Sequence, residues 1–239
     1  MDKDSEQTFS SIKDFYDNEY YKGDQEPHPL PWHCRLIARR LGGLEEKKVL
    51  DVACGTGAWL QFFHTRGAKI AGIDLSSKAI SQCVKNFPDG DFHCGPAEKL
   101  PFPDAHFDLV TCLGSLEHFV DKTGALAEMR RVAKSDAQFL ILVPNSDFLT
   151  RKIGLYHGTH QVTAKEDVLS LDEWEKLFHA ADLSILARWP DLHPMSCSWI
   201  KSGKWFSWPI RAIQALALAT WPLRWQYQVY FYCRAANAN

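Results

Sequence analysis

The chain has 239 residues, enough for one domain with a substantial buried core. Its formal net charge of −2 argues against nucleic acid as a partner, because nucleic-acid binding requires a clustered basic surface. Its seven cysteines are scattered and include no Cys-x-x-Cys pair, which argues against a disulfide framework and against a zinc site.

Residues 1–44 predict a helical cap in front of the main domain. The polar and acidic beginning of the chain is unlike a secretory signal, so we expect a cytoplasmic protein. Aromatic residues between 9 and 22 indicate a leading helix, and the prolines between 27 and 31 predict an extended link. Helical spacing resumes at Trp32 and ends at Gly42.

The most informative pattern is an apolar strand, residues 48–52, that stops at a glycine turn and leads into a helix. Gly55 and Gly57 allow a ligand to approach the backbone, and the free N–H groups of the helix face the same place. A dinucleotide fingerprint would have a third glycine where Leu60 stands, and Asp51 would repel a diphosphate. The turn therefore predicts a nucleotide-like ligand without a pyrophosphate.

Further apolar strands alternate with helical patterns along the rest of the chain. They are expected at 69–74, 92–94, 107–112, 138–143, 183–189 and 227–233. This alternation predicts an α/β fold with a mainly parallel sheet covered by helices on both faces. Asp74 ends the second strand, where a doubly wound fold places an acid against a ribose, a geometry that serves NAD and S-adenosylmethionine alike.

Four fragments in this order resemble the class I S-adenosylmethionine-dependent methyltransferases. They are the glycine turn, Asp74, the loop 95–102 and the segment 107–118. The loop is similar to the D-A-E-x-L-P-F loop that holds adenine in that family, although Pro96 stands where the family has an aspartate. The resemblance implies a single Rossmann-like domain over 1–239, with a seven-stranded sheet of order 3-2-1-4-5-7-6 and strand seven antiparallel.

The same resemblance implies S-adenosyl-L-methionine as the cofactor and a set of binding residues. Asp51 would serve the amino group of the methionine moiety, Asp74 the ribose, and the backbone of Ala97 and Glu98 the adenine. The implied cofactor-binding residues are Asp51, Ala53, Gly55, Thr56, Gly57, Asp74, Leu75, Ala97, Glu98 and Leu113.

Two histidines are candidates for a general base, which a hydroxyl acceptor requires. His118 follows the fourth strand, and His160 lies in a Gly-Thr-His loop after the fifth. Both segments are similar to ubiquinone-biosynthesis O-methyltransferases, some of which bind a divalent metal through E-x-x-E-H. Gly114 replaces the first glutamate of that pattern, so we expect no required metal.

The function expected from the resemblance is methyl transfer to a small-molecule acceptor, apolar or aromatic, at oxygen. Alternatives are an N- or C-methyltransferase, an enzyme for a lipid-linked acceptor, and a non-catalytic S-adenosylmethionine-binding interaction protein. Residues 190–226 form a tryptophan-rich insertion between strands six and seven. Packing of this insertion on the sheet edge is favoured, with a lid over the acceptor or contact with a membrane surface as alternatives. The sequence leaves the oligomeric state open.

Overall fold

The computed structural model describes residues 17–18, 29–152, 154, 167–201 and 205–236. Within these residues, seven strands form one sheet. The strands are β1 Lys48–Val52, β2 Lys69–Asp74, β3 Asp91–Cys94, β4 Phe107–Leu113, β5 Ala133–Pro144, β6 Leu183–Pro190 and β7 Gln228–Ala235. The α-helices are α1 Trp32–Ala38, α2 Ala58–His64, α3 Ser77–Asn86, α4 Lys122–Val132, α5 Leu149–Lys152, α6 Leu171–Ala180, α7 Cys197–Lys201 and α8 Trp208–Thr220.

The strand order is β3-β2-β1-β4-β5-β7-β6, which confirms the predicted fold. The strands from β3 to β5 pair in parallel, whereas β7 pairs antiparallel with both β5 and β6. Because two antiparallel pairings restore the direction, β6 runs parallel to β5. The carboxyl ends of β1 to β6 therefore meet at one edge of the sheet, here called the carboxyl edge, where open α/β sheets bind ligands.

The apolar core lies on both faces of the sheet. Successive residues of a strand point to opposite faces, so Leu50 joins one core cluster and Val49 joins the other. The Leu50 cluster includes Trp174 of α6, and the Val49 cluster includes Phe63 of α2 and Ile37 of α1. Burial on both faces explains why the central strands read as continuous apolar runs.

Helix α1 connects the two edges of the sheet. It ends at Ala38 and is continued by a 3-10 turn, Arg39–Leu41, shortly before β1 begins at the edge opposite the carboxyl edge. Its first turn, with His33, therefore lies toward the carboxyl edge, and His33 contacts Asp191 directly after β6. The first turn of this helix is thus brought close to the end of a strand that is 158 residues away in the sequence.

The insertion between β6 and β7 contains, in order, a 3-10 turn at His193–Met195, α7, a 3-10 turn at Trp205–Ser207, α8 and a 3-10 turn at Leu223–Trp225. Its first turn packs against α8. At its other end, the buried side chain of Asn145 donates hydrogen bonds of 3.0 Å to the carbonyls of Arg224 and Gln226. Asn145 directly follows β5, so both ends of the insertion lie at the carboxyl edge.

Candidate cofactor and acceptor site

The glycine turn after β1 has three residues with left-handed backbone conformation. Ala53, Gly55 and Gly57 have φ values of 60°, 54° and 88°. A side chain at Gly57 would place its Cβ atom 2.9 Å from the ring of Phe87, so this position requires glycine for space as well as for backbone conformation. Local strain of this kind is characteristic of ligand-binding turns.

Asp74, at the end of β2, holds the glycine turn in place. One of its carboxylate oxygens accepts a hydrogen bond from the Gly55 N–H at 2.9 Å, and the other accepts from the Ser76 N–H at 2.8 Å. Burial raises the pKa of Asp74, and these two hydrogen bonds oppose that effect. Each oxygen keeps a further lone pair, which is what two ribose hydroxyls require.

Asp17, from the N-terminal segment, lies close to the end of β2. The carboxylate of Asp17 accepts hydrogen bonds from the hydroxyls of Ser76 at 2.5 Å and Ser77 at 3.0 Å. Ser76 also caps α3, because its hydroxyl accepts from the Ala79 N–H at 3.2 Å. The N-terminal part of the chain therefore contacts the end of β2 beside Asp74.

Asp51, in β1, is a buried carboxyl group beside the glycine turn. It accepts a hydrogen bond of 2.6 Å from the hydroxyl of Thr111 on the neighbouring strand β4. Desolvation raises the pKa of Asp51 to about 7, the charge of Asp74 adds to the rise, and the Thr111 hydrogen bond opposes it. A cationic amino group bound nearby would favour the ionised form of Asp51.

The loop after β3 lies beside Asp74. The N–H of Gly95 donates to the Asp74 carbonyl at 3.0 Å, which ties this loop to the end of β2. Ala97 is buried in the core, and the Glu98 carboxylate accepts from the Asp121 N–H at 3.1 Å, at the start of α4. Because the Glu98 side chain is hydrogen-bonded to Asp121, an adenine ring at this position would contact the backbone groups of Ala97 and Glu98.

The remaining predicted cofactor-binding residues lie around the same edge. Thr56 is half-buried inside the glycine turn, and Leu75 follows β2, with its carbonyl accepting from the Cys94 thiol at 3.3 Å. Leu113 is half-buried at the end of β4, next to Gly114, whose N–H donates to the Leu142 carbonyl at 3.0 Å. The ten predicted residues thus lie in or just after the carboxyl ends of β1 to β4.

The two predicted catalytic histidines differ in what the structure describes. His118 is half-buried in the 3-10 turn Leu116–His118, which follows β4 at the carboxyl edge. His160 lies outside the described residues. Among the residues that the structure describes, no group of three or more His, Cys, Asp or Glu side chains is arranged to hold a metal ion.

A buried polar cluster at the carboxyl edge was not predicted from the sequence. The His33 ring nitrogen Nδ1 lies 3.2 Å from a carboxylate oxygen of Asp191, and its buried Nε2 atom has no hydrogen-bond partner among the residues that the structure describes. The Cys34 sulfur lies 3.5 Å from His33 Nδ1 and 3.8 Å from the hydroxyl of buried Tyr230. The His193 ring meets the His33 ring edge-on, with ring centroids 5.5 Å apart.

The charge state of His33 follows from these neighbours. Burial lowers its pKa, but hydrogen bonds with Asp191 and Cys34 outweigh burial and raise the pKa to about 9. A carboxylate on Nδ1 fixes the orientation of the ring and leaves Nε2 as the nitrogen for an outside partner. Asp191 therefore fixes the His33 ring, and the raised pKa keeps that ring protonated at neutral pH, so it can act as a general base only at alkaline pH.

Comparison with known proteins agrees with this geometry. The family described as "Methyltransferase domain" matches residues 50–141, which run from the glycine turn to β5. The ubiquinone biosynthesis O-methyltransferase of Nitrosomonas europaea is 33% identical over 161 residues, covering 60% of this chain and 67% of the relative. This chain belongs to the class I S-adenosylmethionine-dependent methyltransferases.

Other relatives of this methyltransferase extend the comparison. The uncharacterized methyltransferase YcgJ of Bacillus subtilis is 30% identical over 168 residues, covering 66% of each chain. Its crystal structure superposes with a TM-score of 0.60 at 22% identity, covering 87% of this chain and 99% of that one. Several demethylmenaquinone methyltransferases also align with this chain. Across these relatives and YcgJ, the chain spans about half to two thirds of the length of the curated protein. S-adenosylmethionine is the cofactor expected of this family.

Proposed function

We propose that this methyltransferase transfers the methyl group of S-adenosylmethionine to an oxygen atom of a small-molecule acceptor. The main support is the Asp74 carboxylate, which braces the glycine turn at 2.9 Å and keeps lone pairs for a ribose. Bound S-adenosylmethionine supplies an already electrophilic methyl group. The residues of the chain are left to bind both partners, to align them and to exclude water.

We propose that the acceptor is apolar or aromatic. Ubiquinone biosynthesis O-methyltransferases and demethylmenaquinone methyltransferases are among the similar proteins, and both names refer to quinones. At the carboxyl edge, the half-buried ring of Trp59 lies 6.4 Å from the ring of buried Tyr230 and offers a flat apolar surface. An N- or C-methyltransferase, or an enzyme for a lipid-linked acceptor, is the alternative within the same fold.

Binding and labelling experiments test this proposal. Calorimetry should detect binding of S-adenosylmethionine and S-adenosylhomocysteine but not of NAD. The Asp74→Ala substitution should abolish the binding of both S-adenosyl ligands. A screen with radiolabelled methyl donor over phenols, catechols, amines and quinols should then label an oxygen atom. Binding of NAD instead of the methyl donor would refute the proposal. Binding of the donor without label on any acceptor class would favour a non-catalytic interaction protein.

A hydroxyl acceptor needs a base, and we propose three candidates. His118 and His160 come from the sequence. His33 joins them because Asp191 orients its ring and because Nε2 has no hydrogen-bond partner within the described part of the chain. The pH profile of the rate distinguishes His33 from the other two candidates. With His33 as base, the rate should rise about tenfold per pH unit up to about pH 9, whereas an ordinary imidazole gives a plateau above about pH 7.5.

Substitutions separate the candidates. If His33 is the base, His33→Gln should lower kcat by about 100-fold or more and leave the affinity for S-adenosylmethionine unchanged. Asp191→Asn should move the inflection of the pH profile to lower pH, because it removes the partner that raises the pKa of His33. An inflection near pH 6.5 that persists in His33→Gln would assign the proton transfer to His118 or His160.

A further inference from the structure

The insertion carries a large exposed apolar surface on α8 and on the 3-10 turn that precedes it. Its members are Trp205, Phe206, Trp208, Ile210, Ile213 and Leu216, here called the α8 surface. Trp205 is 76% exposed and Ile213 is 69% exposed. These six are half of the large apolar side chains that are exposed in the described ranges. A patch of this kind marks an interaction site on a soluble domain.

The exposed apolar residues of α8 lie along one side of the helix. Ile210, Ile213 and Leu216 recur every three residues and so follow one side of the helix, while Ala215 is buried on the other. Packing on the sheet edge was the favoured prediction for this helix. In the structure, the buried residue of α8 is Ala215, and the large side chains of this helix are exposed.

The charge of this part of the chain has one sign. Residues 192–239 contain none of the 29 aspartates and glutamates of the protein, but they contain five of its 27 lysines and arginines. Since the whole chain has a net charge of −2, the rest of the molecule is acidic. The partner of the α8 surface should therefore be both apolar and anionic.

The cations lie beside the tryptophan rings. The Lys201 ammonium lies 5.7 Å from the ring centroid of Trp208, and the Arg224 guanidinium lies 5.4 Å from that of Trp225. Basic and aromatic side chains together are typical of helices that lie at the interface between water and lipid.

We propose that the α8 surface binds the surface of an anionic phospholipid membrane, with α8 lying in the membrane plane. A helix of 13 residues is about 20 Å long, and no helix within the described ranges is long and apolar enough to span a bilayer. A second copy of the chain fits less well, since a symmetric dimer through this surface would bring basic residues against basic residues.

The position of the α8 surface gives this contact a role. The 3-10 turn His193–Met195 packs against α8 and follows Asp191, the partner of His33 at the carboxyl edge. Membrane contact would thus hold the acceptor site close to the lipid, so that an apolar acceptor dissolved there reaches it without crossing water. This role rests on the proposed methyl transfer, whereas the membrane contact itself does not.

Vesicle sedimentation of the full-length protein tests the contact. Vesicles of phosphatidylcholine with about a quarter of phosphatidylglycerol should bind the protein, and vesicles of phosphatidylcholine alone should bind it at least about tenfold more weakly. The double variant Ile210→Ser/Ile213→Ser should lose at least about tenfold in binding to the anionic vesicles. Salt should weaken the wild-type interaction, because part of it is ionic.

A matched control uses exposed apolar residues elsewhere. Val84 and Leu186 are both 52% exposed, and Val84→Ser/Leu186→Ser should bind vesicles like the wild type. Both double variants should keep their thermal stability and their affinity for S-adenosylmethionine, which separates loss of membrane contact from failure of the proposed function. Absence of binding to anionic vesicles would overturn the proposal, as would equal binding by the Ile210→Ser/Ile213→Ser variant. A dimer in light scattering that this variant dissociates would identify a second copy as the partner instead.

Discussion

At the scale of single residues, Asp51 connects the cofactor site to pH. Its pKa is raised from 3.8 to about 7, so the folded protein binds this proton more tightly than the unfolded chain does. Protonation of Asp51 therefore stabilises the folded state fully below about pH 4, and this stabilisation is lost as the pH rises through 7. Since the ionised form suits a cationic amino group, ligand binding and folding favour opposite protonation states of the same carboxyl group.

We predict that the affinity for S-adenosylmethionine rises with pH between about 5.5 and 7.5, below the range in which an α-amino group loses its own proton. Asp51→Asn should weaken binding by about tenfold at pH 7.5 and flatten this pH dependence. Calorimetry across this range measures both effects. Thr111→Val, which removes the hydroxyl that donates to Asp51, serves as a comparison and should move the inflection to higher pH. If the affinity of the Asp51→Asn variant still rises with pH, a group other than Asp51 causes the pH dependence.

At the scale of elements, the glycine turn shows how one position can limit both fold and site. Gly57→Ala would have to keep φ at 88° with its Cβ atom 2.9 Å from Phe87. We expect a loss of about 1–3 kcal/mol in the free energy of unfolding, together with weaker binding of S-adenosylmethionine. Gly43→Ala is the control, because a Cβ atom there meets nothing within 4 Å. Urea unfolding compares the two, and equal stabilities would contradict this account of the turn.

The elements also show where sequence patterns suffice and where they do not. The sequence pattern predicted a strand in each of the seven places, most clearly for the central strands, which are apolar because they are buried on both faces. For β5, however, the prediction began at Gln138, whereas the strand begins at Ala133. Residues 133–137, Ala-Lys-Ser-Asp-Ala, have weak strand propensity, and pairing of Ala133 with Phe107 on β4 overrides it. Strand order came from the resemblance to a family, because apolar runs carry no information about their neighbours.

At the scale of the whole molecule, the candidate site divides into a local part and a long-range part. The expected cofactor-binding residues lie in or just after the ends of β1 to β4, where strand-turn-helix patterns are visible in the sequence. His33 and Asp191 are 158 residues apart and belong to no motif. A lone histidine at the start of a helix gives no sign of its partner, and only the topology that brings α1 and the end of β6 to one edge reveals the pair. The His33–Asp191 pair is therefore the part of the candidate site that sequence reasoning missed.

Because the expected cofactor-binding residues lie at the ends of β1, β2, β3 and β4, ligand binding there should stabilise the fold as a whole. A ligand at about 100 times its Kd stabilises the native state by about 2.7 kcal/mol, which for a chain of this size raises Tm by roughly 5–10 °C. We expect this shift with S-adenosylhomocysteine in differential scanning fluorimetry and none with NAD. Asp74→Ala should remove it, since that carboxylate both braces the glycine turn and faces the ribose position. In contrast, Ile210→Ser/Ile213→Ser should show the full shift, because the α8 surface lies on the insertion and contributes none of these strand ends. A shift that survives in Asp74→Ala would place the ligand elsewhere on the molecule.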